Sequence, residues 1–296
     1  MNPLNYIVVR IHGLRTRLVS ASMLKDMART KDLKAFAETL LKTDYSNNIK
    51  EVPWNDISGF ILEKIFEKKL VERSLFVSKL SCSDTICFTE TYCRRFEVQN
   101  ITHILRNKEK KIPKIEIEKR LSPIEHYSSI NFKALLNSNT VDDAIELLKE
   151  TIYYPSKEVV QLYKSGGSLL PIEAYFEKIY AEELIKSLET IPEDKEEVRS
   201  LLMTQFDIKN CFTVIGSIIQ KLNPYFLEKL VIPYSKKISL TDITNIIYRD
   251  NSLSLASTVF KQYIKVVKAL IAGDESKAYL EGLRYINKAN ESIRRK

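Results

Sequence analysis

Two short boxes hold the residue types that could do chemistry. In Phe96-Glu97-Val98-Gln99-Asn100 an acid precedes an amide, and Phe206-Asp207-Ile208-Lys209-Asn210 repeats the arrangement 110 residues later. Helical spacing brings Phe96, Glu97 and Asn100 onto overlapping faces, and Phe206, Asp207 and Asn210 likewise. A carboxylate beside an amide on the wall of a helical bundle could serve as acid and ligand, so an enzyme of unfamiliar helical type would rest on these two pairs. The simpler reading is structural. An Asn offers two donors and two acceptors, and beside an acid on an apolar face it fixes helix register by bonding neighbouring backbone or side chains.

Other catalytic constellations fail on spacing. No Gly-x-x-x-x-Gly-Lys-Ser/Thr loop occurs, and Gly166-Gly167-Ser168 runs into Leu169-Leu170-Pro171 with no lysine to reach a phosphate. His12, His103 and His126 are scattered and form no His-Glu-x-x-His pattern. Cys82, Cys87 and Cys93 read as parts of one helix, at spacings of five and six that place them on different sides of it. That suits neither a zinc site nor a local disulfide, so they and Cys211 read as small buried hydrophobes. No catalytic residue, cofactor or metal ligand is expected.

The elements that must position the boxes are helices. Only 7 glycines and 9 prolines occur in 296 residues, a composition poor in turn formers, and 44% apolar residues suffice for packed cores. The expectation is an all-α fold. Periodicity predicts a helix over 4–18 with a stripe of Ile7, Ile11, Leu14 and Leu18, short helices over 22–29 and 33–41, and long ones over 56–79 and 84–107. The same order then recurs: a short helix over 142–151, another from Ser156 to Tyr163 ended near Gly166-Gly167, and long helices over 171–190 and 194–222. The stretch Asp32 to Tyr45 aligns with Thr140 to Tyr153 at an offset of 108, close to that of the boxes. Two matches at nearly one offset indicate a duplicated unit of about 100 residues. Leu240-Thr241-Asp242 with Ile243, Ile246 and Ile247 reads as a third copy of the short helix, followed by helix over 254–294 interrupted at Gly273. The expected division is three helical repeat units, 1–120, 121–222 and a shorter 223–296.

The formal charge of +8 predicts attraction to an anionic partner: nucleic acid, lipid headgroups or an acidic protein surface. The densest charged block, Lys108 to Arg120, is mixed in sign and reads as a solvated linker. A basic helical-repeat protein that binds nucleic acid is the alternative class, its 15 tyrosines offering stacking surfaces. Tyr175, Tyr180, Tyr263 and Tyr279 fall at helix-periodic positions and Tyr45 and Tyr153 at helix ends, where packing explains them more simply. No apolar run approaches the ~20 residues that span a bilayer, and no basic region with an apolar core opens the chain, so a cytoplasmic location is expected.

With these residues in view the chain resembles the C subunit of A-type and V-type ATP synthases, the family of the d subunit of the eukaryotic V-ATPase. The features that carry this are the Tyr6, Arg10, Leu14, Arg17 and Leu18 pattern, the Thr43-Asp44-Tyr45 helix end, and Glu97-Val98-Gln99-Asn100-Ile101 running on to Ile104-Leu105-Arg106-Asn107-Lys108. Asp207-Ile208-Lys209-Asn210 fits the box again. Glu97 stands where Asp is usual, and Gly216 where the second copy would carry a base. The resemblance covers essentially the whole length. It implies three similar helical units in approximate three-fold arrangement forming a funnel or socket. It further implies a non-catalytic central-stalk (rotor) subunit, peripheral on the cytoplasmic face of the membrane, that links the central-shaft subunits to the membrane proteolipid ring. The task implied is torque transmission in proton- or sodium-coupled ATP synthesis or hydrolysis, with no nucleotide or nucleic acid bound. Phe96, Glu97, Asn100, Arg106, Phe206, Asp207 and Asn210 are then residues of a structural repeat box.

Overall fold

Short polar side chains start the helices where the apolar period begins. Asp32 accepts from the Ala35 amide at 2.8 Å, Thr140 and Asp143 form a reciprocal capping box, and Ser239 and Asp242 form another. The three capped helices lie where the sequence places its three short helices. The first two also end alike. Thr43 donates to the Leu40 carbonyl and receives the Tyr45 amide, and Thr151 does the same with Leu148 and Tyr153. Each tyrosine then meets a phenylalanine edge to face, Tyr45 with Phe66 and Tyr153 with Phe176.

The structure is a computed structural model that describes residues 3–81, 83–124, 127–191, 195–249 and 252–294; no strand occurs among them. From the N-terminus run α1 (Pro3–Arg15), α2 (Ala21–Met27), α3 (Leu33–Leu40), α4 (Ser46–Lys50), α5 (Gly59–Leu80), α6 (Ser83–Cys93), α7 (Arg95–Glu109) and α8 (Lys114–Glu118). Next come α9 (Phe132–Asn137), α10 (Val141–Glu146), α11 (Lys157–Gly166), α12 (Leu170–Leu188) and α13 (Lys195–Ile219). The chain continues through α14 (Pro224–Leu230), α15 (Leu240–Ile247), α16 (Ser252–Val259), α17 (Ile264–Ile271) and α18 (Glu275–Arg294). The protein is all-α.

Two compact units result. The first takes the chain up to His103 together with Ile112–Phe132, and the second takes Ile104–Lys111 and everything from Lys133 onward. In the first, Met27, Ala37, Leu40, Ile49 and Leu62 form a core sealed by Phe36, Tyr45 and Phe66. In the second, α13 is the central element. It packs against α12, and Ile208, Cys211, Val214 and Ile215 on it bury against α14 to α18. Gly167, at φ 61°, and Gly273, at φ 75°, take the left-handed conformation that ends α11 and α17.

Several boundaries differ from expectation. The helix expected over 84–107 is broken at Arg94, whose amide bonds both the Glu90 and Thr91 carbonyls, so the first box opens α7 while Cys87 and Cys93 sit on α6, where Cys87 is exposed and Cys93 half-buried, contrary to the expected burial that Cys211 alone of the three meets. Cys82 and His126 lie outside the described residues. The 108–120 block is not plain linker: α7 runs on to Glu109, α8 follows, and Ile117 is buried. The last long helix is interrupted near 260–263 as well as at Gly273. Leu18 and Tyr279 are exposed, although periodicity placed both on packed faces.

Candidate functional site

The two boxes sit on α7 and α13 and their side chains turn inward. Phe96 and Phe206 are buried in the core, and Asn100 and Asn210 are 2% and 1% exposed. Each Asn makes a two-point clamp on a single backbone residue. Asn100 Nδ2 donates to the Ser122 carbonyl at 2.9 Å, while the Ser122 amide donates to Asn100 Oδ1 at 2.8 Å. Asn210 does the same with Ile232, at 3.0 and 2.9 Å. The amide group thereby imitates a neighbouring strand for one residue and satisfies both polar groups of a buried segment that follows the helix. Both clamped residues precede a proline, Pro123 and Pro233, so extended backbone is favoured at both points.

The acids complete the pattern. Glu97 accepts from the Ser128 hydroxyl at 2.6 Å, and that hydroxyl receives the Ile130 amide. Asp207 accepts from the Ser235 hydroxyl and the Lys236 amide on one oxygen and from the Tyr263 hydroxyl, at 2.9 Å, on the other. Ser235 in turn receives the Ile238 amide at 2.8 Å. Burial lifts the Asp207 carboxyl above the ordinary carboxylate range, and its hydrogen bonds oppose that lift without cancelling it. Burial, and then the charge of Asp207, push the Tyr263 hydroxyl up as well. Asp207 is 0% exposed and its oxygens already hold protein donors, so no solvent-borne group reaches them. This geometry can lock a loop to a helix; it offers no surface for a substrate.

Arg106 lies apart from the clamp. It reaches from α7 to α12, where both Glu173 oxygens take its guanidinium, one of them at 2.7 Å from Nη2. That pairing raises the Arg106 pKa. At its equivalent in α13, Gly216 leaves room for Leu170, which a Cβ would approach to 3.1 Å. Of the tyrosines, Tyr153, Tyr180 and Tyr263 are buried and Tyr175 bonds the Tyr154 carbonyl at 3.1 Å, while Tyr6, Tyr127, Tyr225, Tyr248 and Tyr279 are exposed. Among the described residues no cluster of three or more His, Cys, Asp or Glu could hold a metal, and no helix is long and apolar enough to cross a membrane.

A protein-family model described as ATP synthase (C/AC39) subunit matches residues 7–294. The chain belongs to that family. Among its relatives, the C subunit of the A-type ATP synthase of Pyrococcus furiosus is 23% identical over 294 residues, covering 96% of this chain and 76% of the relative. The C subunit of the Methanocaldococcus jannaschii A-type enzyme is 22% identical over 231 residues, 77% of this chain, and the chain spans only 58% of that relative's length. Its counterpart in Halorubrum lacusprofundi is 26% identical over 210 residues, 71% of this chain and 60% of the relative.

Both clamps of this C/AC39 family member lie within the matched span. Sequence reasoning found the helix side of each clamp and missed the loop side, Ser122, Ser128, Ile232 and Ser235; it read Tyr263 only as a packing residue. One signal could have found part of it. Pro123 and Pro233 stand 110 residues apart, the same offset as the boxes, and mark the clamped residues directly before them.

Proposed function

We propose that this C/AC39 family member is a non-catalytic rotor subunit of an A/V-type ATP synthase, joining the central-shaft subunits to the membrane proteolipid ring at the cytoplasmic face. The observation that carries the reading is the family match over 7–294. The two boxes support it: their acids are buried and hydrogen-bonded within the protein, as suits a structural part better than a catalyst. Three helical units, 1–120, 121–222 and 223–296, in pseudo-three-fold arrangement around a socket belong to the same proposal, supported by the three capped short helices. Such a part transmits torque for proton- or sodium-coupled ATP synthesis or hydrolysis. Each charge crossing the membrane delivers about 2.3 kcal/mol per 100 mV, so broad contacts and stiff helices matter more than chemistry at one residue.

The test is copurification of the tagged protein from its native membranes after mild detergent extraction. Recovery of a proteolipid ring, shaft subunits and a catalytic ATPase head is the expected result. Recovery of RNA or DNA without those proteins would overturn it.

A further inference from the structure

Some surface cations of the second unit are paired with carboxylates. Arg106 pairs with Glu173, Lys164 with Asp142, Lys195 and Arg199 with Glu189, and Lys209 with Glu177. The approach to the α17–α18 hairpin is set apart by its lack of acids. From Ser252 to Gly273 the sequence contains no acid and three lysines, Lys261, Lys265 and Lys268. Lys265 and Lys268, three apart, share one face of α17, and Lys261 lies in the 3-10 turn just before it; all three are exposed while Val266, Val267, Ala269 and Leu270 face the core. None forms an ion pair with a described residue.

Basic residues continue on α18. This helix packs along α17 and α13, with Gly282 against Ile208 of α13 and Tyr285 meeting Tyr263, at the start of α17, edge to face at 5.3 Å. At 100° per residue, Lys277, Arg284 and Lys288 fall on the Tyr285 side of the exposed face, the side next to α17. Arg284 is held by the buried Glu281; Lys277 and Lys288 have no carboxylate partner among the described residues. Leu280, 57% exposed, and Leu283 project into solvent next along the exposed face, and Tyr279 lies at its far edge. The two acids of the connecting turn are engaged elsewhere: Asp274 accepts from the Lys277 amide at 2.9 Å, and Glu275 lies in the field of Arg106.

We infer that the outer face of the α17–α18 hairpin docks on an anionic lipid surface. Unpaired lysines on long stems supply attraction to headgroup phosphates, while Leu280 and Leu283 on the same exposed face supply a shallow apolar contact. Nucleic acid would use the lysines alone and leave Leu280 and Leu283 in water, so the combination favours lipid. The assignment does not depend on the rotor reading, and its failure would leave the copurification test untouched.

The experiment is sedimentation of the full-length protein with vesicles of phosphatidylcholine alone or mixed with phosphatidylglycerol. Binding is expected only to the mixed vesicles and is expected to weaken with salt. Replacing Lys261, Lys265 and Lys268 together by Gln should weaken partitioning about 100-fold, at roughly five-fold per lysine near the surface. The Leu280→Gln, Leu283→Gln double variant should also bind less, although its charge is unchanged. As a control of equal charge, Lys164, Lys195 and Lys209 are replaced by Gln, which should cost far less. Equal binding to neutral vesicles, no binding to either, an equal loss in the control, or binding to RNA in place of vesicles would each overturn the inference.

Discussion

Replacing Asn210 by Ala removes both bonds that hold Ile232. Ile232 is 3% exposed, so water cannot replace the lost partners of its amide and carbonyl. Leaving a buried backbone group unsatisfied costs about 1–3 kcal/mol, and two such groups give ~2–6 kcal/mol, centred near 4. For a unit of this size that corresponds to a fall in Tm of ~8–16 °C. Urea titration followed by far-UV circular dichroism measures the free energy directly. Asn210→Asp gives a sharper test. An ionised carboxylate can still accept the Ile232 amide but sets a second oxygen against the Ile232 carbonyl, so the variant should be nearly as unstable as Ala at neutral pH. Protonation restores a donor. The introduced acid therefore has a raised folded pKa, and its stability should recover as the pH falls. An alanine cost below about 0.5 kcal/mol, or an aspartate variant with no acid recovery, would refute the clamp. Asn100 and Ser122 make the same prediction in the first unit.

Asp207 has a folded pKa above its ordinary 3.8, so the folded chain binds more protons and stability should decline as the pH rises from there through the folded value. Asp207→Asn should lack that decline; identical pH–stability slopes for the two proteins would count against it. Arg106→Ala should cost no more than ~1 kcal/mol in urea titration, since the Arg106 side chain is 52% exposed and its ion pair solvent-screened. Gly282→Val should destabilise by ~1–3 kcal/mol, because even a Cβ at this position comes within 3.0 Å of Ile208 on α13. Thermal unfolding indistinguishable from wild type would remove Gly282 from the packing account.

The helices were legible because their period and caps are local. Asp32, Thr140 and Ser239 each announce a helix within four residues, and apolar spacing carries the rest. The break at Arg94 was not legible, since no Gly or Pro marks it and the two arginines at the break, Arg94 and Arg95, are good helix formers. Tyr279 misled because periodicity reports which residues share a face and not whether that face is covered. For the candidate site, Asn100 and Asn210 stood out by repetition alone. Their partners did not, because a clamp that grips backbone places no demand on the side chain it grips: Ser122 and Ile232 have nothing in common except the proline that follows.

The two acids show how the duplicated site absorbs divergence. Ser128, the donor to Glu97, stands six positions after the clamped Ser122; Ser235, the donor to Asp207, stands only three after Ile232. The copy with the longer intervening loop carries the longer acid, so the extra methylene of Glu97 reads as an adjustment of reach. Glu97→Asp should then lose the 2.6 Å bond to Ser128 and strand a mostly buried carboxylate, at a cost of about 1–3 kcal/mol. Asp207→Glu should fail for the opposite reason, since a side chain already 0% exposed has no room for another methylene, and overpacking costs a similar ~1–3 kcal/mol. Urea titration of both swaps decides the matter. If either exchange is neutral, loop length and acid length are unrelated, and Glu97 is a tolerated substitution with no structural cause.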